Sequence, residues 1–275
     1  MGILTGKVAV VTGAGRGIGA AAAALFAMEG ARLVISDLDV MQATETAEAI
    51  HRAHGEAIVV GGDVTDPEFP DHVLNAATDA FRGIDIIVNN AGYTWDGMID
   101  RMSDAQWYAM LDVHATAPFR MLRAAFPRFS EAAVDEQMRN GQAVARKVIN
   151  VSSISGLFGN PGQVNYATAK AGVLGLTKTL AKEWGSYNVQ VNCVCYGFIE
   201  TRLSAPRERA TTIRRNDIEI PLGIPDDIRD TITSLIPLGR SGTVQEAAGP
   251  MLFLASPLSN YVTGHVLEVT GGYFG

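Results

Sequence analysis

The chain is predicted to be an α/β protein: a single-domain doubly wound parallel sheet. Short apolar runs rich in β-branched residues recur along the 275 residues, and longer stretches of helical character separate them. That alternation marks buried parallel strands joined by crossover helices. No linker of altered composition interrupts it, so residues 1–275 are read as one domain.

The elements follow in order. Residues 7–12 (KVAVVT), 32–36 (RLVIS), 57–61 (AIVVG) and 84–89 (IDIIVN) are short and apolar enough for the first strands. Residues 147–152 (KVINVS), 189–194 (VQVNCV) and 266–269 (VLEV) supply the later ones. Between them lie 20–29, 41–54, 73–81, 105–126, 167–184 and 244–255, each long enough for a crossover helix. Two segments break the rhythm. Residues 130–146 (SEAAVDEQMRNGQAVAR) are charged and are predicted to form a helix extension plus a solvent-exposed loop, an exposed insertion. Residues 202–240 exceed an ordinary connection and are assigned as a lid or substrate loop. Within them TTI and IEI flank residues 214–217, which points to a small hairpin.

Composition excludes several classes. With 47% hydrophobic and 19% charged residues the chain can bury a sizeable core. A net charge of −7 without a basic stripe gives no reason to expect nucleic acid. Cys193 and Cys195, read on opposite faces of a strand, are expected to be unbridged, reduced core thiols. The amino terminus lacks the pattern of a secretory signal, and Gly6 stands where myristoylation wants Ser or Thr. The longest apolar run, 20–28, is far short of the roughly 20 residues that cross a bilayer. A cytoplasmic protein without a membrane partner is expected. His51, His54, His72 and His265 show no metal-ligand spacing, so no metal is expected.

Directly after the first strand comes TGAGRGIG, residues 12–19, opening an Ala-rich helix. Glycines Gly13, Gly17 and Gly19 permit a sharp turn and close backbone approach to a pyrophosphate, while the helix start offers N–H groups and positive dipole. Strand before and helix after are the context a Rossmann-type dinucleotide site requires. The second strand runs into Asp37, about twenty residues on, where a carboxylate binds ribose hydroxyls and repels a 2′-phosphate. This favours NAD over NADP, although Arg16 in the turn argues mildly the other way. Asp37 would also serve as the N-cap of the following helix.

Tyr166 and Lys170 are spaced i, i+4 at the start of a helix and share one face. An ammonium one turn away, together with a cationic nicotinamide, would lower the phenol from its ordinary pKa of ~10. Ser153 ends the strand KVINVS, at the sheet edge where ligands bind, and can donate to a substrate oxygen.

Taken together the motifs resemble the short-chain dehydrogenase/reductase family over essentially the full length. The resemblance implies cofactor contacts from Gly13, Arg16, Gly17, Ile18 and Gly19. It also implies an adenine contact from Asp63 and Val64, and a wall from Asn90, Ala91 and Gly92 of NNAG. Gly197, Ile199 and Thr201 of GFIET would lie at the nicotinamide. Ser153, Tyr166 and Lys170 match the catalytic serine, tyrosine and lysine, with the tyrosine thirteen positions after the serine. NVSSISGLFGNPGQVNYATAKAG is closest to the 3-oxoacyl reductase type. The expectation is an oxidoreductase moving a hydride between NAD(H) and a 3-oxoacyl or 3-hydroxyacyl thioester, as a homo-oligomer, often a tetramer. An NADPH-dependent reductase of a steroid, sugar or small ketone is the alternative. A non-catalytic dinucleotide sensor is the third reading, and the intact trio speaks against it.

Two departures stand out. The family commonly has asparagine where DVHATAPF places His114, and a histidine can also relay protons, titrating near ~6.5 unless burial moves it. It can equally be a bracket that holds the helix bend. Cys195-Tyr196-Gly197 replaces the usual Ala-Pro-Gly, which would put an aromatic ring beside the nicotinamide. Trp107 and Tyr108 are assigned to packing or a subunit contact.

Overall fold

The computed structural model describes residues 2–209, 212–215 and 218–273. In chain order the strands are β1 (Val8–Thr12), β2 (Arg32–Asp37), β3 (Glu56–Gly61), β4 (Ile86–Asn89), β5 (Arg146–Ser153), β6 (Val189–Tyr196), β7 (Thr212–Arg215), β8 (Ile218–Pro221) and β9 (Val266–Val269). β7 and β8 form a separate antiparallel pair, and the other seven form one parallel sheet ordered β3-β2-β1-β4-β5-β6-β9. The seven predicted strands are these seven. The order reverses between β1 and β4, so the crossovers leave on opposite faces there and open a crevice at the strands' carboxyl ends.

The helices are α1 (Gly17–Met28), α2 (Val40–Arg52), α3 (Phe69–Phe81), α4 (Asp104–Leu111), α5 (Ala117–Asn140), α6 (Ser155–Phe158), α7 (Val164–Glu183), α8 (Asp226–Leu235) and α9 (Val244–Ala255). Alternation along the central strands sorts the core into two layers. Leu33 and Ile35 pack with Phe26 of α1 and Met251 of α9, while Val34 faces Leu74 of α3 and Phe129 of α5.

The structure corrects several expectations. The predicted helix 105–126 is α4 and α5 joined by a π turn, Asp112–Thr116, closed by the Ala117 N–H donating to the Asp112 carbonyl. Pro118 explains the loosening: it lacks the N–H that would bond the carbonyl four residues back, that of His114. Residues 130–146 combine a helix extension with a loop but are not exposed throughout: α5 runs to Asn140 and buries Ala133 before Gly141 stops it in the left-handed region (φ 77°). Only 141–145 is loop, and Arg146 is buried against Glu136 (Nη2–Oε1 2.6 Å). Cys193 and Cys195 share a face, as residues two apart on a strand do, and both pack on Val173 of α7. Their Cα atoms are roughly 6.6 Å apart, at the outer limit for a bridge, and both are free thiols.

Within 202–240 the hairpin is present, with Ile213 opposite Ile220, and its turn at 216–217 lies outside the described residues, as does Thr211. α8 was not anticipated. Among the described residues no helix is long and apolar enough to cross a membrane.

Candidate active site

The glycine turn joins β1 to α1 and is held from three sides. Gly13 has φ 63°, and a Cβ there would come within 2.7 Å of the Ala91 Cα, so only glycine allows the turn to lie against the end of β4. The Thr12 hydroxyl accepts from the Asn90 and Ala91 N–H groups (both 3.1 Å), while Asn90 Nδ2 donates to the carbonyls of Thr12 and Gly13 (both 3.0 Å). Asp37 Oδ2 accepts from the Gly15 N–H (2.9 Å). α1 then begins without a side-chain cap and without an acidic residue in its first turn. Its start carries uncompensated N–H groups and positive dipole, which fits a pyrophosphate.

Asp37 is not the N-cap of α2. Asp39 takes that place, accepting from the Gln42 N–H (3.3 Å), and its carboxylate also pairs with Arg16. The cation that argued for a 2′-phosphate is therefore engaged. Arg202 lies close to both: burial and the Arg16 charge lower its pKa, and Asp37 and Asp39 oppose them.

From this turn a cleft of about 1160 Å³ runs along the carboxyl ends of the strands. Every predicted cofactor residue except Gly19 lines it, as do Ser153, Tyr166, Lys170 and His114. Gly19 lies beneath, where a Cβ would approach the Gly13 carbonyl oxygen to 2.3 Å, so its role is to let helix and turn close on each other.

Ser153 ends β5, and its oxygen accepts from the Ser155 N–H (3.2 Å). Tyr166 and Lys170 stand one turn apart at the start of α7. Lys170 is buried, with Nζ donating to the Val151 carbonyl (2.8 Å) and lying 5.6 Å from the Tyr166 ring centre. Burial pushes Lys170 down to about 8, with the two cysteines opposing. Burial pushes the Tyr166 phenol up to about 12; the Ser153 hydroxyl works against this, and the charges of Asp96 and Cys195 add to it. The expected lowering by Lys170 is thus not produced in the protein alone, where burial dominates and raises the phenol.

His114 lies in the π turn, 3% exposed. Its Nε2 donates to the Tyr93 carbonyl (2.7 Å), an acceptor only, so Nδ1 carries the lone pair and is buried without a protein partner among the described residues. Burial, then Lys170, holds its pKa well below 6.5. The ring stands edge-on to Tyr166, with centres 4.9 Å apart at 89°. The titration near 6.5 is therefore moved away by burial.

Tyr196 does not direct its polar end toward the nicotinamide region. Its hydroxyl donates to the Ala247 carbonyl of α9 (2.6 Å), and its ring joins the core on that side. Tyr108 is 61% exposed on α4. Among the described residues no His, Cys, Asp and Glu cluster suits a metal.

Sequence reasoning missed Thr12, Asp96, Gln163 and Asn165. Asn165 Nδ2 donates to the carbonyls of Trp95 (3.1 Å) and Gln106 (3.0 Å) while its Oδ1 accepts from the Tyr166 N–H (2.8 Å). Gln163 Nε2 donates to Asp96 Oδ2 (3.0 Å). The available signal was the run of amides just before Tyr166, yet no spacing rule ties it to residues 95–96.

A family profile described as enoyl-(acyl carrier protein) reductase matches residues 13–274. Curated relatives span the chain. The 3-oxoacyl-[acyl-carrier-protein] reductase of Thermotoga maritima is 37% identical over 269 residues, and that of Vibrio cholerae 38% over 276 residues. The enzyme of the same name from Aquifex aeolicus is 37% identical over 272 residues. In each case 98% of both chains is covered.

Proposed function

The chain belongs to the short-chain dehydrogenase/reductase family, and from that premise we propose that it interconverts a 3-oxoacyl and a 3-hydroxyacyl thioester with NAD(H). It is an oxidoreductase acting on carbonyl and CH–OH groups, and its cofactor is a nicotinamide dinucleotide. The thioester is supported by relatives whose names state that substrate.

The reading is carried by the convergence of Ser153, Tyr166 and Lys170 in one cleft that begins at an uncapped helix start. The cofactor supplies or accepts the hydride. Ser153, its oxygen already accepting from the Ser155 N–H, donates its proton to the substrate oxygen and stabilises the charge that grows there. Tyr166 gives its phenolic proton to that oxygen in reduction and takes it back in oxidation. With the phenol raised to about 12, the protein alone holds it protonated, ready as an acid. Lys170, fixed by Val151, would hold the nicotinamide ribose and add positive charge near the phenol. His114, neutral and fixed to Tyr93, holds the Tyr166 ring in place and presents Nδ1 as an acceptor for a proton relay.

Asp37 supports NAD, since its carboxylate stands at the end of β2 where a 2′-phosphate would be repelled. One observation favours the alternative, an NADPH-dependent reductase: Arg202 is half-buried beside Arg16, two cations close together at the cofactor end. We also take the protein to be a cytoplasmic homo-oligomer. Exposed Tyr108 on α4 and Phe119, Val134 and Met138 on α5 support an apolar face between copies.

The test is Tyr166→Phe, assayed by cofactor absorbance with acyl thioesters, ketones, sugars and steroids and with each dinucleotide. Turnover should fall below about a tenth of wild type while cofactor binding persists. Turnover above that, or a preference for a non-thioester, would overturn the assignment of base or substrate respectively.

A further inference from the structure

We propose that Gln163 is a positioning residue that sets the donor direction of Ser153 through Ser155. The inference rests on the reading of Ser153 as the group that polarises the substrate oxygen. Gln163 occupies the N-cap position of α7, three residues before Tyr166, yet its side chain makes no capping bond to that helix. It is turned the other way. Its Oε1 accepts from the Ser155 hydroxyl (3.0 Å) and from Asn160 Nδ2 (3.0 Å), and its Nε2 donates to Asp96 Oδ2 (3.0 Å).

The chemistry fixes each bond's direction. An ionised carboxylate only accepts, so the Asp96 end must receive the amide NH₂ and the carbonyl end must face Ser155. The Ser155 hydroxyl proton is thereby committed to Gln163, and Ser155, which is buried, is held where its main-chain N–H reaches the Ser153 oxygen. With one lone pair of Ser153 occupied by that N–H, its own proton is directed away from Ser155 and into the cleft.

The far end of the chain is anchored as well. The Asp96 carbonyl accepts from Gln106 Nε2 (3.1 Å), and the Gly97 N–H donates to the Gly162 carbonyl (2.8 Å). The loop after β4 and the turn before α7 are thus stitched together around Gln163. A glutamine that only filled space would need neither the Asp96 nor the Ser155 bond.

The experiment compares Gln163→Leu and Gln163→Glu with wild type. Leucine keeps the bulk and removes every polar bond; kcat should fall about tenfold while substrate KM and cofactor Kd move less than about threefold. Glutamic acid keeps the shape. When protonated it donates to Asp96 and accepts from Ser155, and when ionised it faces Asp96 with like charge. The charged and titratable groups facing the pair are Asp96, Arg207 and Tyr166. The Glu variant should lose rate at mildly alkaline pH, where its like charge pushes it from Asp96, and recover toward wild type as pH falls, a limb that neither wild type nor Leu shows.

Wild-type kcat in Gln163→Leu with a lower melting temperature would overturn the inference and leave Gln163 as packing at a helix start. So would identical pH profiles for Leu and Glu. Ser153→Ala separates the two claims. If it keeps full turnover, the reading of Ser153 fails and this inference falls with it. If it is inactive while Gln163→Leu is unimpaired, the positioning role alone is wrong.

Discussion

Gly92→Ala should destabilise the protein through one ring. No positive φ constrains this glycine, so its need is purely one of space. A Cβ there would stand 2.2 Å from His114 Cε1 and 2.8 Å from Nδ1. The imidazole has nowhere to retreat, held at Nε2 by the Tyr93 carbonyl (2.7 Å) and set edge-on against Tyr166 (4.9 Å). Overpacking a core of this kind costs about 1–3 kcal/mol, and breaking the buried bond to Tyr93 adds a similar amount. A total of about 3 kcal/mol, or a melting temperature about 6–12 °C lower, is expected. Urea unfolding of wild type, Gly92→Ala, His114→Ala and the double variant measures it. With the ring gone the alanine methyl has room, so Gly92→Ala should cost less than about 1 kcal/mol in the His114→Ala background, a coupling of about 2 kcal/mol. Equal cost in both backgrounds, or unfolding of Gly92→Ala within about 0.5 kcal/mol of wild type, would refute the steric argument.

Four further outcomes follow from the site and its surroundings. The phenolate of Tyr166, read as the ultraviolet difference between wild type and Tyr166→Phe, should be absent below about pH 10 in the protein alone and appear at lower pH with oxidised cofactor; its presence at neutral pH without cofactor would refute the burial effect. His114 is held neutral, so kcat should show no limb near 6.5, His114→Asn should keep both activity and profile, and His114→Ala should slow turnover at unchanged cofactor affinity. Because the folded pKa of His114 is depressed, its contribution to stability is present above about 6.5 and is lost as pH falls through the lower folded value, which acid unfolding of wild type against His114→Asn would detect. NADH should be preferred over NADPH at least about tenfold in kcat/KM, about 1.4 kcal/mol, and Asp37→Ser should narrow the gap, whereas equal use by wild type would show that Arg16 and Arg202 prevail. Glu136→Gln should cost about 1–2 kcal/mol by leaving Arg146 buried without its partner, with kcat unchanged. The desolvation that opposes ionisation of Glu136 is outweighed by the Arg146 and Val144 hydrogen bonds, so its pKa is lowered; that stabilisation is present above the ordinary glutamate value and lost as pH falls through the lowered one.

The parallel strands were legible because burial on both faces leaves continuous aliphatic runs such as VAVV in β1 and IIV in β4. The residues proposed to touch cofactor or substrate were legible because their chemistry depends on local spacing, as in Gly13 to Gly19 and Tyr166 to Lys170. What supports them was not. Asp96 reaches Gln163 across 67 residues, and Thr12 reaches Asn90 across 78, contacts that only the crossovers create. Asp39 took the cap expected of Asp37 because α2 starts at Val40, directly after Asp39 and too far from Asp37, and boundary placement is the weakest part of pattern reading. The π turn escaped because a helical period carries no mark of one extra residue, although Pro118 could have flagged the site. α8 was legible in principle, since Ile228, Ile232 and Leu235 recur at helical spacing, but it buries no residue fully and lies within a stretch assigned as one long loop.

The single hydroxyl of Thr12 joins the two sides of the crevice before anything enters it. By accepting from both Asn90 and Ala91 it latches the strand that carries the glycine turn to the strand whose loop walls the other side. The gap between those walls is therefore fixed in advance, and a dinucleotide that bridges them meets a gauge of set width. Little chain has to be ordered on arrival, so the entropy that loop closure would otherwise subtract from affinity is already spent in folding. Thr12→Val, alike in shape but without the oxygen, would leave a crevice of the same residues whose jaws can drift.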